Sequence, residues 1–525
     1  ELLERFAVDR GRRSIARLVE LAPERADRLR PDHSIESVPV GQLRVGDRVR
    51  IRPGDKIPAD GRVVAGSSAV NEATITGESL PRRKEVGDQV FAATLNADGA
   101  LDVEVTADAA HSTLARIVQL VREGEARRAP IERFVQRFAR VYTPIVTGGA
   151  VLVMLVPPVV LGASGLEWFV RGLTLLVIAC PCALVIATPV TVVSALTSAA
   201  RHGVLIKGGE HLEALGGVRT LAVDKTGTLT RGTLRVTGFH MADGAADAVL
   251  LQRVAAVEAR SEHPIAQAIV RFVEERGIPS GFPVDEFTAV PGRGVRAKVD
   301  GQEILVGTER FVGPDSAARW KEQEPGTMLT YVRTGDGLEG VFTIQDEVRP
   351  ESQAVVAQLH ALGVRPVVML TGDGAETAEV VGRRIGVDEV RARLLPEDKV
   401  HAVRALRELH GSVAMLGDGV NDAPALAEAT VGLAMGAAGS PATIETADVA
   451  LMADDLTKLP YAVRLARRAR RTIRFNIALA LGLKLILAVG AVLGVASLAI
   501  AVLVGDMGGS LAVTVNALRL ARMRE

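Results

Sequence analysis

Cysteine is almost missing from this chain: Cys180 and Cys182 are its two examples in 525 residues. Two residues apart in one apolar run, they make no structural disulfide and do not fix a redox compartment. Net charge is missing as well. Sixty-two basic side chains balance 62 acidic ones, which removes the electrostatic argument for a nucleic-acid partner. There is no internal repeat, no low-complexity tract and no GxxxxGK[ST] phosphate loop. The chain opens at Glu1 with neither a methionine nor a signal peptide, so it is expected to be a piece of a longer protein. What is present is apolar matter: 48% hydrophobic residues and a mean hydropathy of +0.23. That composition excludes a disordered, collagenous or disulfide-stapled chain. At roughly 100–200 residues per domain, the length accommodates three or four domains.

The apolar residues are concentrated. Val141–Leu166 and Gly172–Ala200 carry no charge, and Phe475–Leu518 carries only Lys484 and Asp506. A membrane span needs about 20 apolar residues, so the first two runs predict one helix each and the third predicts two, broken near Gly494–Ser497. Arginines flank these runs at Arg127, Arg128, Arg133, Arg137, Arg140 and Arg201, with Lys207, and again at Arg467, Arg468, Arg470, Arg471, Arg474, Arg519, Arg522 and Arg524. The loops Ser164–Arg171 and Val495–Ser497 carry almost no positive charge. By the positive-inside rule both hairpins dip in from the cytoplasm and return, leaving the polar mass cytoplasmic.

That mass falls in two blocks. Residues 34–125 alternate short β-like runs with Gly, Pro and Asp turns. Residues 205–460 mix strands and helices; 221–235 and 355–455 read as the strand–helix alternation of a parallel sheet, interrupted by an insertion with its own hairpins at 240–335.

Chemistry concentrates at Asp224-Lys225-Thr226-Gly227-Thr228-Leu229-Thr230, which follows the apolar strand Thr220–Val223. A carboxylate at the carboxyl end of such a strand projects into the crevice where α/β sheets bind ligands and can attack a phosphoryl group. Gly227 and the hydroxyls of Thr226 and Thr228 are expected to donate to the phosphate. Three further segments follow apolar runs or charged turns in order: Thr371-Gly372-Asp373, Lys399, and Gly417-Asp418-Gly419-Val420-Asn421-Asp422. The first can hold the transferred group, the lysine can stabilise a pentavalent transition state, and the last two carboxylates can hold Mg²⁺.

This ordered set resembles the P-type transport ATPases, built on the haloacid-dehalogenase-like fold, over essentially the whole chain. The resemblance implies a multidomain membrane protein. Its parts would be an α-helical transmembrane bundle, a β-rich actuator domain, a Rossmann-like α/β phosphorylation domain and an α+β nucleotide-binding insertion. Thr76-Gly77-Glu78-Ser79, with Pro81 just after, matches the actuator loop, and Glu78 is the expected general base for hydrolysing an aspartyl phosphate. Ser261-Glu262-His263-Pro264 and Pro291-Gly292-Arg293-Gly294 resemble the heavy-metal branch, as does Glu258 five residues before His263. The resemblance therefore assigns ATP contact to Glu258, His263, Gly292 and Gly294. It assigns catalysis to Asp224, Lys225, Thr226, Glu78, Thr371, Gly372, Asp373, Lys399 and Asn421, and Mg²⁺ to Asp224, Thr226, Asp418 and Asp422.

Cys180-Pro181-Cys182 lies in mid-span, where proline breaks the helical ladder and two soft thiolates suit Zn²⁺, Cd²⁺, Pb²⁺ or Cu⁺. A charge at that depth is functional by default. Lys484 together with Asp506-Met507-Gly508 resembles the zinc/cadmium/lead branch, which implies Cys180, Cys182 and Asp506 as ligands and Lys484 as counter-ion, able to pair with Asp506 when no metal is bound.

The expected domains are a stalk (1–33), actuator (34–125), membrane hairpin (126–204), phosphorylation domain (205–235 and 339–460), nucleotide domain (236–338) and C-terminal hairpin (461–525). The expected function is ATP-driven export of Zn²⁺, Cd²⁺ or Pb²⁺ from the cytoplasm across the plasma membrane by a monomer, with Mg²⁺ and ATP as cofactors and the lipid bilayer as surroundings. A Cu⁺ exporter, a membrane-anchored phosphatase and a non-enzymatic scaffold are the alternatives. A phosphatase of this fold usually carries a second aspartate two residues after its nucleophile, and here that position is Thr226.

Overall fold

The computed structural model describes residues 23–30, 32, 34–72, 81–108, 112–113, 115, 130–179, 182–241, 248–278, 281–290, 293–313, 327–335, 337–418, 422–436 and 441–523. The chain forms two compact units. One runs through Arg219 and includes Arg407–Ala414 and the chain from 422 onward; the other comprises Thr220–Leu406 with Met415–Asp418.

The first unit opens with nine strands: β1 (Arg25–Leu29), β2 (Ile35–Pro39), β3 (Arg48–Ile51), β4 (Gly61–Gly66), β5 (Ser68–Asn71), β6 (Arg82–Lys84), β7 (Gln89–Val90), β8 (Leu95–Asn96) and β9 (Leu101–Val105). Six pair in the order β2-β1-β3-β9-β4-β7, and β6-β5-β8 form a smaller sheet. Alternation sets the faces. In β9, Leu101, Val103 and Val105 join Val49, Ile51, Ile57 and Val63 in the core, while Asp102 on the opposite face takes a two-pronged bond from Arg50 at 2.8 Å. Because β1 pairs with both β2 and β3, this sheet begins upstream of residue 34, within the segment expected to be stalk. The β5–β6 hairpin brackets residues 73–80, so Thr76–Ser79 and Glu78 lie outside the described residues.

Among the described residues, four helical stretches are long and apolar enough to cross a membrane: Arg140–Leu161, Gly165–Arg201, Lys458–Val492 and Leu498–Arg522. The first two contain α1 (Pro130–Leu161), α2 (Gly165–Ala179) and α3 (Cys182–Arg201), and β10 (Val204–Ile206) and α4 (Gly209–Gly217) follow. The second span starts at Gly165, earlier than the charge-free run beginning at Gly172 suggested. Glu167 and Arg171 fall inside it as an ion pair one helical turn apart. Arg171 also stacks on Trp168 and donates to the Val492 carbonyl at 3.0 Å, so the charge is neutralised within the helix. α2 is described to Ala179 and α3 from Cys182; Cys180 and Pro181 lie outside the described residues.

In the second unit, β11 (Thr220–Asp224) leads into β12 (Thr230–Met241), α5 (Ala248–Glu258) and α6 (Pro264–Glu274). β13 (Val284–Val290), β14 (Gly294–Val299), β15 (Gln302–Gly307), β16 (Met328–Thr334) and β17 (Gly337–Val348) come next. Strands β12-β17-β16-β15-β14-β13 form one sheet over a core of Val254, Ile269, Phe272, Ile304 and Phe342. This sheet starts at Thr230, directly after the Asp224 motif, because β12 and β17 are 12-residue strands that run back from the insertion to that motif. Then follow α7 (Ser352–Ala361), β18 (Val367–Leu370), α8 (Ala375–Ile385), β19 (Glu389–Arg391), α9 (Pro396–His410) and β20 (Val413–Gly417). Within this unit Met415–Gly417 of β20, then β11, β18 and β19, lie side by side, with β11–β18 and β18–β19 parallel. Every residue of β11, β18 and β20 is buried, as expected of parallel strands covered on both faces.

The first unit resumes with α10 (Ala423–Glu428), β21 (Val431–Ala434), β22 (Val449–Leu451), α11 (Lys458–Val492) and α12 (Gly509–Leu518). α11 ends at a turn carrying Gly494 at φ +78°, where the sequence placed it. Small side chains bring α3, α11 and α12 together at Ala183, Ala187, Ala480 and Val513. Close backbone approach of this kind is what holds helices to each other in lipid, where no hydrophobic force separates them from the solvent. The opposite face of α11 leaves Leu485, Ile486 and Val489 exposed.

Candidate active site

Parallel pairing sets Asp224 opposite Leu370. Asp224 and Thr371 thus emerge at the carboxyl ends of adjacent strands, the position where such sheets bind ligands. Asp224 is 6% exposed, and its Oδ1 accepts from Lys399 Nζ at 2.6 Å. Lys225 is buried too; its Nζ lies 2.7 Å from Asp373 Oδ2 and 3.6 Å from Asp346 Oδ2. The Thr371 hydroxyl accepts from the Asp373 amide at 3.1 Å, and Gly372 lies between them. Asp418 follows β20, the strand beside β11. Asp224 and Asp418 therefore head neighbouring strand ends, a donor set of hard oxygens suited to Mg²⁺. Asp422 is buried at the head of α10 in the other unit, and Asn421 lies outside the described residues.

The segment after Asp224 is a tight turn in which Gly227 takes φ +74°, a conformation glycine adopts without strain. Thr226 is exposed and available to a ligand. Thr228 is not, contrary to the expectation that it faces a phosphate: it is fully buried, and its hydroxyl has no hydrogen-bond partner among the described residues.

Sequence reasoning missed the residues that hold this turn. Arg349, 4% exposed, donates from Nε to the Thr230 carbonyl at 3.2 Å and from a terminal nitrogen to the Gly227 carbonyl at 3.3 Å. Ser352 donates to the Leu229 carbonyl at 2.8 Å. Asp346 Oδ2 accepts from Thr230 at 2.5 Å. The available signal was polar residues closing an apolar strand, in Thr343-Ile344-Gln345-Asp346 before Arg349-Pro350.

In the insertion, Glu258 ends α5 with 4% exposure, and burial pushes its carboxyl up to about 7. His263 is exposed and caps α6: its Nδ1 accepts from the Ile265 amide at 3.2 Å, and Pro264 follows at the first helical position. Gly294 faces Gly307 across β14–β15. A Cβ there would come 2.1 Å from the Val306 carbonyl oxygen, so close strand packing demands glycine at this place. Gly292 lies outside the described residues.

In the bundle, Lys484 is 4% exposed and donates from Nζ to the Ile178 carbonyl at 2.9 Å, two residues before Cys180. Asp506 lies in the helical stretch Ala501–Gly508, close enough to act electrostatically on Lys484. Its Oδ1 is buried with no hydrogen-bond partner among the described residues. Lys484 thus donates to a backbone carbonyl one residue before the described end of α2 at Ala179, with Asp506 nearby rather than in direct contact. Cys182 opens α3.

The P-type ATPase actuator domain model matches residues 20–122, and the haloacid dehalogenase-like hydrolase model matches 218–430. The cadmium-transporting ATPase of Staphylococcus aureus is 44% identical across all of this chain and 74% of its own length. The chain belongs to the P-type ATPases. A second relative of this P-type ATPase, the zinc/cadmium/lead-transporting P-type ATPase of Escherichia coli strain K12, is also 44% identical, across all of this chain and 71% of its own. A crystal structure of a zinc-transporting PIB-type ATPase in the E2.Pi state superimposes with a TM-score of 0.69 at 42% identity, covering 98% of this chain and 86% of that one. This P-type ATPase is accordingly an ATP-hydrolysing, multi-pass protein of the plasma membrane, with actuator and haloacid dehalogenase-like domains.

Proposed function

We propose that this ATPase exports soft divalent cations, Zn²⁺, Cd²⁺ and Pb²⁺, from the cytoplasm through an aspartyl phosphate on Asp224. The names of its relatives support that cargo. The observation that carries the reading is the buried Lys484 ammonium on the Ile178 carbonyl beside Asp506, since buried charges at membrane depth need a functional reason. Two thiolates and one carboxylate bring three negative charges to a doubly charged ion, and Lys484 neutralises the remainder.

ATP is proposed to lie against Glu258, His263, Gly292 and Gly294. An Asp224 oxygen bonds the γ-phosphorus while the bridging bond to the β-phosphate breaks, and ADP departs. Lys399, already on Asp224, offsets repulsion between carboxylate and phosphate. Thr371, Gly372 and the Lys225–Asp373 pair fix the group transferred, Thr226 is available to it, and Asn421 is proposed to assist. Mg²⁺, held by Asp224 and Asp418, would neutralise phosphate oxygens. Glu78 is proposed as the base that later directs water at the aspartyl phosphate. Cys180, Cys182 and Asp506 hold the cargo ion, and Lys484 moves onto Asp506 as the ion leaves.

The test is ATP hydrolysis by the full-length protein over a panel of ions. Stimulation by Zn²⁺, Cd²⁺ and Pb²⁺ supports the reading; stimulation by Cu⁺ alone moves it to the copper alternative.

A further inference from the structure

A small open cleft lies where α1, α3, α4 and α11 meet. Ile131, Val192, Leu212, Ala466, Ala469 and Ile473 give it an apolar wall, and Arg470 and Arg474 give it cations. Glu213, also at the cleft, is occupied: its carboxylate accepts from the Ile131 amide at 3.1 Å. Arg470 is committed differently. Its guanidinium lies over Gly217, 3.1 Å from where a Cβ would stand, yet its Nε is buried with no hydrogen-bond partner among the described residues. A buried guanidinium donor left unmatched beside an apolar wall is a costly arrangement unless an anion completes it.

The depth of the cleft identifies the anion. Arg474 is the last arginine before the apolar run that begins at Phe475, so Arg474 and Arg470 stand one and five residues, about 1.5 and 7.5 Å, before the start of the hydrocarbon-compatible segment. That is headgroup level, with Val192 and Ile473 placed to meet an acyl chain and the two guanidinium groups to meet a phosphate. We propose that this cleft binds one anionic phospholipid by its phosphate, with a chain along Val192 and Ile473. The lipid then braces α11, the helix that carries Lys484 ten residues beyond Arg474, against α3, the helix that opens at Cys182.

The experiment places the full-length ATPase in phosphatidylcholine vesicles with or without one-fifth phosphatidylglycerol and measures Zn²⁺-stimulated hydrolysis. It also counts phosphatidylglycerol retained per protein after extraction. The expected result is several-fold stimulation by phosphatidylglycerol that falls to near none in Arg474→Gln and Arg470→Gln, with loss of one retained lipid and unchanged activity in pure phosphatidylcholine. Arg474 is exposed, so its variant folds even if Arg470→Gln does not. Arg468→Gln, on the exposed face away from the cleft, should keep the stimulation. Equal loss in Arg468→Gln would mean diffuse charge attraction. Full stimulation in Arg474→Gln, or replacement of the lipid by free inorganic phosphate at millimolar concentration, would overturn the proposal.

Discussion

Lys399 Nζ lies 2.6 Å from Asp224 Oδ1, and both side chains are largely buried. The lysine comes from the first turn of α9 and the aspartate from the end of β11, 175 residues apart. Their contact gives the nucleophile a cation before substrate arrives. Lys399→Met is therefore expected to lower the rate of phosphoenzyme formation by about 10²–10³-fold, the usual cost of losing one preorganised electrostatic partner. Asp224→Asn should leave no acid-stable phosphoenzyme. Rapid-quench labelling from γ-labelled ATP measures both, and wild-type labelling in Asp224→Asn would remove that residue from the mechanism.

Arg349 predicts a second effect at the same turn. Its planar fork serves the Thr230 and Gly227 carbonyls together, and lysine cannot reproduce that geometry. Arg349→Lys should cost about 1–3 kcal/mol of local stability and slow phosphorylation, while ATP affinity stays near wild type. Hydrogen exchange at the amides of 225–230 should accelerate; unchanged exchange there would show that the fork is not what holds the turn.

His263 caps α6 and is proposed to meet the nucleotide as well. As the cap of α6 it can be replaced by asparagine, a strong capping residue, whereas alanine should cost about 0.5–2 kcal/mol. If the imidazole also meets the nucleotide, His263→Asn will keep the melting temperature and still raise the KM for ATP. Phosphorylation from inorganic phosphate, which needs no adenine, should be spared. An unchanged KM in His263→Asn would confine this residue to helix capping.

Glu258 gives a pH dependence. Its carboxyl is pushed from 4.5 up to about 7 by burial, so the folded domain holds a proton that the unfolded chain releases. Below pH 4.5 both states are protonated and the group is neutral in its effect on stability. Between about 4.5 and 7 the unfolded state is increasingly favoured, reaching an order of 3 kcal/mol above pH 7. Protection of the α5 amides should fall as pH rises from 5 to 8 in the parent and stay flat in Glu258→Gln. A parallel fall in the variant would assign the effect to another group.

Much of this was legible in the sequence because the motifs follow buried parallel strands. Val367–Leu370 is β18 to the residue, and Asp224 and Thr371 sit where strand ends demand. The turn near Gly494 was legible from hydropathy for the same reason: a long apolar run must reverse. The start of the second span was not, since Glu167 and Arg171 look like loop residues until their pairing and the Val492 carbonyl are seen. Nor were Arg349 and Ser352, whose duty is to bond carbonyls more than a hundred residues away. The Ile178 carbonyl as a partner of Lys484 was not legible because a backbone acceptor has no side-chain signature. The capping role of His263 and its proposed nucleotide contact share one His-Pro pair, which the sequence alone cannot separate.

The most direct test of export through a soft-metal site is Zn²⁺-stimulated phosphoenzyme formation in Asp506→Ala. Stimulation is expected to disappear in the full-length variant while labelling of Asp224 from inorganic phosphate persists. Stimulation at the wild-type level would contradict it and return the cargo to the copper alternative.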